Sequence, residues 1–197
     1  MVQAEPLGRP SAALTVALVG LPGSGKSTIG RQLARRLGVP FADSDHVIEQ
    51  QLGCSIREFF EREGENRFRD IEEEVIDTLT ANHPGVIATG GGAVLRLRNR
   101  VNLRERTKVV YLRSSPEEVF RRLRHDSNRP LLQVKDPLGR LRELYGTRDP
   151  LYREAAHFVI ETGRPTVSIL VNMIMMQVEQ AGMASPPGAH SASTSPT

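Results

Sequence analysis

The chain has no tryptophan, a single cysteine, few aromatic side chains and no long apolar run, and each shortage removes a class of function. With Cys54 alone, no intramolecular disulfide can form, and without a CxxC pair or a histidine cluster there is no zinc site, so a reducing cytoplasm is the expected home. Aromatic residues make up 5 % of the chain, too few for a surface that stacks nucleic-acid bases. No stretch approaches the length of a membrane span, and the N-terminus lacks the charged-then-apolar pattern of a signal peptide. Neither a membrane nor a nucleic acid is therefore an expected partner. The 26 basic and 23 acidic residues are interspersed and leave a formal charge of only +3, which suits small anionic substrates. At 197 residues the chain fits one α/β domain, expected over residues 13–180 and working as a monomer.

What the sequence does contain is the stretch Gly20-Leu21-Pro22-Gly23-Ser24-Gly25-Lys26-Ser27-Thr28, with the spacing G-x-x-x-x-G-K-[ST] of a phosphate-binding loop. Its four fixed positions should arise by chance in on the order of one in a hundred chains of this length. The plain alternative, a glycine-rich turn that binds nothing, is further weakened by context. The apolar run Leu14–Val19 reads as a buried strand before the loop, and Ile29, Leu33, Ala34 and Leu37 recur at helical spacing after it. Glycines allow positive φ, so successive N–H groups at Gly23, Ser24, Gly25, Lys26, Ser27 and Thr28 can face one hollow, reinforced by the N-terminal donors of the helix. Lys26 is placed to reach the β- and γ-phosphates and the Ser27 hydroxyl to ligate Mg²⁺.

Further along, strands and helices alternate. Residues 39–42 form a short strand candidate delivering Asp43-Ser44-Asp45; two short helices, broken near Gly53, fill 46–62; and a longer helix runs from beyond Gly64 to about Thr80 with Phe68, Ile71, Val75, Ile76 and Leu79 as its buried stripe. Val86-Ile87-Ala88 is a third strand, Lys108–Leu112 a fourth and His157–Ile160 a fifth, with a basic helix near 96–106, a helix opened by Ser115-Pro116 and ending near His125, another marked by Leu138, Leu141, Leu144 and Tyr145, and a last one at 167–178. The pattern implies a largely parallel sheet covered on both faces. Residues 1–12 and 183–197, rich in Pro, Ala, Ser and Gly, are expected to be disordered.

Asp43 and Asp45 would point the same way if the strand stayed regular, at the strand ends where open α/β sheets bind ligands. A solvated Asp-Ser-Asp turn is the bland alternative. The run Thr89-Gly90-Gly91-Gly92 has more glycine than a tight turn needs, which suggests close approach to a ligand. Arginines are dense from Arg121 to Arg153 and mostly read as a solvated face. Arg129 differs, because it sits beside Pro130 in a polar segment, 126–137, that could close as a lid. Glu72-Glu73-Glu74 reads as a water-facing run, and His46, His83, His125 and His157 have no ligand spacing.

With these residues in view, the sequence resembles the shikimate kinases, a branch of the nucleoside-monophosphate-kinase-like P-loop fold. The resemblance covers about residues 14–178 through six ordered motifs: Gly20–Thr28, Asp43-Ser44-Asp45, Phe68-Arg69-Asp70-Ile71-Glu72, Thr89–Gly92, Arg129-Pro130-Leu131-Leu132 and Arg148-Asp149-Pro150-Leu151-Tyr152. It implies a three-layer P-loop NTPase-like fold with a five-stranded parallel sheet in order 2-3-1-4-5, and phosphoryl transfer from MgATP to the 3-hydroxyl of shikimate. Carried over position by position, it implies that Lys26 and the loop amides hold the ATP phosphates, Ser27 ligates Mg²⁺ and Asp43 holds it through water. Asp45 would bind the acceptor hydroxyls and serve as base. Arg69 and Arg148 would grip the acceptor carboxylate, with Gly90, Gly91 and Gly92 lining the acceptor site. Arg129 would close with the lid, Arg122 would stack on adenine, and Arg164 would fall in the adenine loop. The rivals are a kinase for another polyhydroxylated acid such as gluconate, a nucleotide-binding regulatory module without catalysis, and a nucleic-acid-binding protein. Turnover with a mixed set of acceptors separates the first, ATP binding without turnover the second, and salt-dependent affinity for DNA or RNA the third.

Overall fold

A computed structural model describes residues 14–124 and 133–181. The expected disorder of residues 1–12 and 183–197, and Arg129 with most of the 126–137 segment, lie outside the described residues. Five strands, β1 (Thr15–Val19), β2 (Phe41–Asp43), β3 (Gly85–Ala88), β4 (Lys108–Arg113) and β5 (Phe158–Glu161), form one parallel sheet in the order β2-β3-β1-β4-β5. That is the order implied by the resemblance.

The strands have short apolar sequences because both faces of the sheet are covered. One face packs Val16, Leu18, Val110 and Leu112 against α1 (Lys26–Leu37) and α8 (Val167–Gln180) through Ile29, Leu33, Val171 and Ile174. The other packs Ala17, Val19, Val109 and Tyr111 against α4 (Glu65–Asn82), α5 (Leu97–Arg106), α6 (Pro116–Leu123) and α7 (Pro137–Ala155). Alternation of side chains along a strand sends odd and even residues of β1 to these two cores. A third cluster lies beyond the β2 edge, where α2 (Ser44–Leu52), α3 (Ile56–Glu63) and α4 bury Ile48, Phe59, Phe68 and Val75.

Local chemistry sets the boundaries. Ser55 and Ser115 each close a capping box with Glu58 and Glu118, and Pro116 occupies the first turn of α6. The helix α1 ends on Gly38 at φ 66°, α2 on Gly53 at φ 67°. Helix α7 continues through Pro150 to Ala155, so the motif Arg148–Tyr152 is helical throughout. Helix α6 ends at Leu123, close to the expected stop. One expectation needs correction. The strand carrying Asp43 does not run on to Asp45: Asp43 is the last residue of β2 and caps α2, its Oδ1 accepting from the N–H of Asp45 (3.1 Å) and of His46 (3.4 Å), so Asp45 stands in the first helical turn.

Candidate active site

β2, β3 and β1 are neighbours in the sheet, and the turns that follow their C-terminal ends build the site. After β1, Gly23 (φ 79°) and Gly25 (φ 93°) adopt the left-handed region, with Gly25 as the N-cap of α1. Lys26 is the first helical residue. Its ammonium is buried and donates to the carbonyls of Gly20 and Leu21, both at 2.8 Å, and to Ser24 Oγ at 3.4 Å. Ser27 follows, and its hydroxyl donates to Asp43 Oδ2 at the end of β2. The two oxygens assigned to Mg²⁺ by resemblance therefore touch. A hydroxyl and one carboxylate oxygen at a phosphate loop fit a magnesium ion, which keeps several waters and shares substrate phosphates rather than taking an all-protein cage.

A cavity of about 290 Å³ opens here, lined among others by Pro22, Lys26, Ser27, Asp43, Asp45 and Gly91. Its floor is tied to the sheet by Thr89, whose N–H and hydroxyl both donate to the Leu18 carbonyl of β1. On the far side of the loop a second cavity, about 310 Å³, is lined by Gly25, Thr28, Arg122, Thr162, Pro165 and Leu170. Arg122 of α6 is fixed on this wall, donating to the Thr162 carbonyl at 2.8 Å, the Ser24 carbonyl at 3.4 Å and Ser114 Oγ at 3.3 Å. Ser114 and Thr162 are themselves hydrogen-bonded. Arg164 is exposed and does not line that cavity, whereas its neighbour Pro165 does.

The Thr89–Gly92 turn meets the side chains of α2, α4 and α7. A Cβ on Gly90 would lie 2.6 Å from Asp45 Oδ1 and 3.1 Å from Glu72 Oε2; one on Gly91 would lie 2.6 Å from Pro22; one on Gly92 would overlap the Arg69 guanidinium. None of the three has positive φ. The close approach expected of these glycines is thus made first by the protein's own side chains.

Arg69 is 8 % exposed and Glu72 only 1 %. Arg69 Nη1 donates to Glu72 Oε1 at 2.7 Å, and Arg69 also reaches Glu65 at 3.3 Å. Glu72 does not face water, contrary to the expectation for the acidic run. It falls on the same stripe as Phe68 and Val75, at i+4 and i−3, a signal legible in the sequence beneath the triple-glutamate pattern. Burial pushes the Glu72 carboxyl up from its ordinary pKa, and the nearby Arg69 and Arg148 guanidiniums pull it back. Arg69 is thus paired with a carboxylate of its own helix, and the charge of Arg148 acts on the same carboxylate. Asp45 is raised to about 6, chiefly by burial, then by the neighbouring Glu72 and Asp43 charges, with Lys26 opposing.

Two further residues stood inside motifs but were given no role by the sequence reading. Ser44 is buried, and its hydroxyl accepts from the Gly90 N–H at 3.0 Å. The Tyr152 hydroxyl donates to the Gly91 carbonyl at 2.6 Å.

Among the described residues no cluster of three or more His, Cys, Asp or Glu could hold a metal, and no helix is long and apolar enough to cross a membrane. A family model for shikimate kinase matches residues 22–179. A shikimate kinase of Paracidovorax citrulli is 65 % identical over 176 residues, spanning 88 % of this chain and 96 % of the relative. One from Ralstonia nicotianae is 60 % identical, spanning 89 % and 93 %. Among solved structures, shikimate kinase from Acinetobacter baumannii in complex with shikimate superposes with a TM-score of 0.82 at 44 % identity, covering 88 % of this chain and 97 % of that one. A gluconokinase from Sinorhizobium meliloti superposes with a TM-score of 0.60 over 87 % of this chain and 95 % of its own, at 18 % identity, and shares the fold alone.

Proposed function

The chain belongs to the shikimate kinase family, and from that membership we propose how its residues divide the work of moving the γ-phosphoryl group of ATP to the 3-hydroxyl of shikimate. Lys26 and the N–H groups of Gly23–Thr28 hold the phosphates. The Ser27 hydroxyl and, through water, Asp43 would hold Mg²⁺, which when bound neutralises charge between the phosphates. Asp43 Oδ2 suits this, since Oδ1 is committed to capping α2. The wall of Arg122 and Pro165 receives the adenine, and Arg164, exposed and next to Pro165 in sequence, reaches the nucleotide from outside that wall.

On the acceptor side, Arg69 and Arg148 bind the shikimate carboxylate, and the N–H groups of Gly91 and Gly92 add donors beside Gly90. Asp45 orients the attacking hydroxyl. As the hydroxyl oxygen attacks the γ-phosphorus, its proton passes to the Asp45 carboxylate and the bond to the β–γ bridging oxygen breaks, releasing ADP. A base with a pKa near 6 is ionised at neutral pH yet more basic than an ordinary aspartate, which is the compromise a proton acceptor needs. Arg129, placed by its motif alone, closes over the transferring phosphoryl group. The enzyme works as a monomer in the cytoplasm, without nucleic-acid or membrane partners.

The observation that carries this assignment is that Asp45, Arg69 and Glu72 surround the α-carbons of Gly90 and Gly92 immediately beside the phosphate loop. The test is ADP release from MgATP with shikimate, with gluconate and with neither. Release dependent on shikimate is expected, and equal release with gluconate would move the acceptor assignment to open-chain acids.

A further inference from the structure

The Gly90–Gly92 turn is unusually well accounted for on its carbonyl side. The Gly90 carbonyl accepts from the N–H of Ala93 at 3.1 Å, the Gly92 carbonyl from that of Leu95 at 3.0 Å, and the Gly91 carbonyl from the Tyr152 hydroxyl at 2.6 Å. The Gly90 N–H donates to Ser44 Oγ. Among the described residues, the N–H groups of Gly91 and Gly92 have no acceptor. Two of the three carbonyls are held by the turn's own backbone, as in any short helical turn. The third is held from another element by a side chain.

The partner is rigid. Tyr152 is 1 % exposed, its ring lies 5.0 Å from that of Tyr111 between centroids, and the Tyr111 hydroxyl donates to Asp149 Oδ1 at 2.8 Å, fastening α7 to β4. Burial raises the Tyr152 hydroxyl to about 12, with Arg148 and Arg69 opposing, so it stays protonated and donates at any working pH. The Gly91–Gly92 peptide is trans, so its carbonyl and its N–H point in opposite directions. Holding the carbonyl toward α7 turns the Gly92 N–H away from α7, and that nitrogen is bonded to the α-carbon that abuts the Arg69 guanidinium.

We propose that Tyr152 is a positioning residue for the acceptor carboxylate: by fixing the Gly91–Gly92 peptide it aims the Gly92 N–H at the oxygen that Arg69 and Arg148 also bind. The inference rests on the assignment of those arginines to a carboxylate. It explains why a tyrosine stands one helical turn beyond Arg148 on α7, on the same face at i+4. Without the hydroxyl, a glycine-glycine peptide with no Cβ to restrain it can rotate, and the donor loses its aim.

The test is Tyr152→Phe, which keeps the ring packed on Tyr111 and removes only the hydroxyl. The KM for shikimate should rise about three- to tenfold, as for one lost hydrogen bond, with kcat and the KM for ATP changed by less than about twofold. A shikimate analogue with its carboxylate reduced to an alcohol, used as a competitive inhibitor, should show the same inhibition constant against parent and variant. Equal losses for acid and alcohol, accompanied by a lower Tm, would make Tyr152 a packing residue and overturn the proposal, as would an unchanged KM for shikimate. Arg69→Ala, measured on the same pair of ligands, separates the two layers. If it discriminates acid from alcohol while Tyr152→Phe does not, only the peptide lock fails. If neither discriminates, the carboxylate assignment itself falls.

Discussion

The phosphate loop and the Thr89–Gly92 turn each hold three glycines within a few residues, yet they need them for different reasons. In the phosphate loop Gly20, Gly23 and Gly25 stand at φ 153°, 79° and 93°, conformations that L side chains rarely adopt. In the second turn no φ is positive, and the obstacle to a side chain is the crowd of Asp45, Glu72, Pro22 and Arg69 around the α-carbons. The second turn needs glycine for its neighbours alone. The phosphate loop needs it for its backbone and, at Gly20 and Gly23, for its neighbours as well, since a Cβ there would lie 2.6 Å from Leu112 and from Leu123. On the proposed assignment, the nucleotide half of the site is built of main-chain donors plus one lysine, the acceptor half of buried charged side chains. Changes in the first half should act through ATP, and changes in the second through the acceptor and the chemical step.

The sharpest division comes from Asp45. Asp45→Asn keeps the shape and removes the base, so kcat should fall at least about a hundredfold while the affinity for ATP is kept. The same change should stabilise the fold. Because the folded pKa is raised to about 6 from 3.8, ionised Asp45 opposes folding; the penalty is fully present above pH 6 and disappears below about pH 4. Asp45→Asn should therefore be more stable than the parent at pH 7–8, by up to about 3 kcal/mol, with the advantage vanishing near pH 4 in denaturant titrations. Equal stability at both pH values would mean that Asp45 is not desolvated.

Arg69→Ala comes next. A charged hydrogen bond to a bound carboxylate is worth roughly 1.5–3 kcal/mol, so kcat/KM for shikimate should drop about ten- to 150-fold with little effect on ATP. Gly92→Ala should copy this variant, because the new methyl group occupies the space of the guanidinium. Gly25→Ala tests the other half. It forces a Cβ into the left-handed region at a cost of order 1–3 kcal/mol, expected as a lower Tm and a higher KM for ATP at unchanged KM for shikimate. Were Gly92→Ala to raise the KM for ATP, or Gly25→Ala that for shikimate, the two halves would not be separable in this way.

The smallest effect belongs to Glu72→Gln, which can keep a hydrogen bond to Arg69 while removing a charge that raises the pKa of Asp45. In the parent, kcat/KM for shikimate should fall tenfold per pH unit below about pH 6, and in Glu72→Gln that acid limb should move to lower pH. A limb that stays in place would show that Glu72 does not act on the base.

The nucleotide half was the more legible of the two in the sequence, for the same physical reason. A backbone requirement leaves a mark at fixed spacing, and strand, loop and helix around Gly20–Thr28 could be placed from local pattern alone. The sheet's alternation and most helix limits followed from periodicity and caps, whereas the strand order came from family resemblance, since local pattern carries no information about which strands are neighbours. Asp45 was picked out, but on an imagined strand, because the capping of α2 by Asp43 ends the extended run two residues short of it. Glu72 was misread as solvated because three glutamates in a row mask the one that lies on the buried stripe of α4. Tyr152 and Ser44 stood inside motifs but were given no role, because their partners Gly91 and Gly90 lie far away in sequence and a hydroxyl bonded to a carbonyl or an N–H leaves no pattern.

The central position of β1 bears on how the chain is made. Emerging first among the strands, Thr15–Val19 must pair on both sides, yet β3 begins only at Gly85 and β4 at Lys108. At a synthesis rate of ~5–20 residues per second, the strand that will carry the phosphate loop waits several seconds with both hydrogen-bonding edges open. It is short, apolar, β-branched and uncharged, the composition that recruits other strands when exposed. The helix α1 that follows can cover one face early through Ile29 and Leu33, but no helix can satisfy a strand's edges. Catalytic geometry at the middle of the sheet is thus obtained at the cost of a nascent chain whose first strand keeps both edges open until β3 and then β4 emerge.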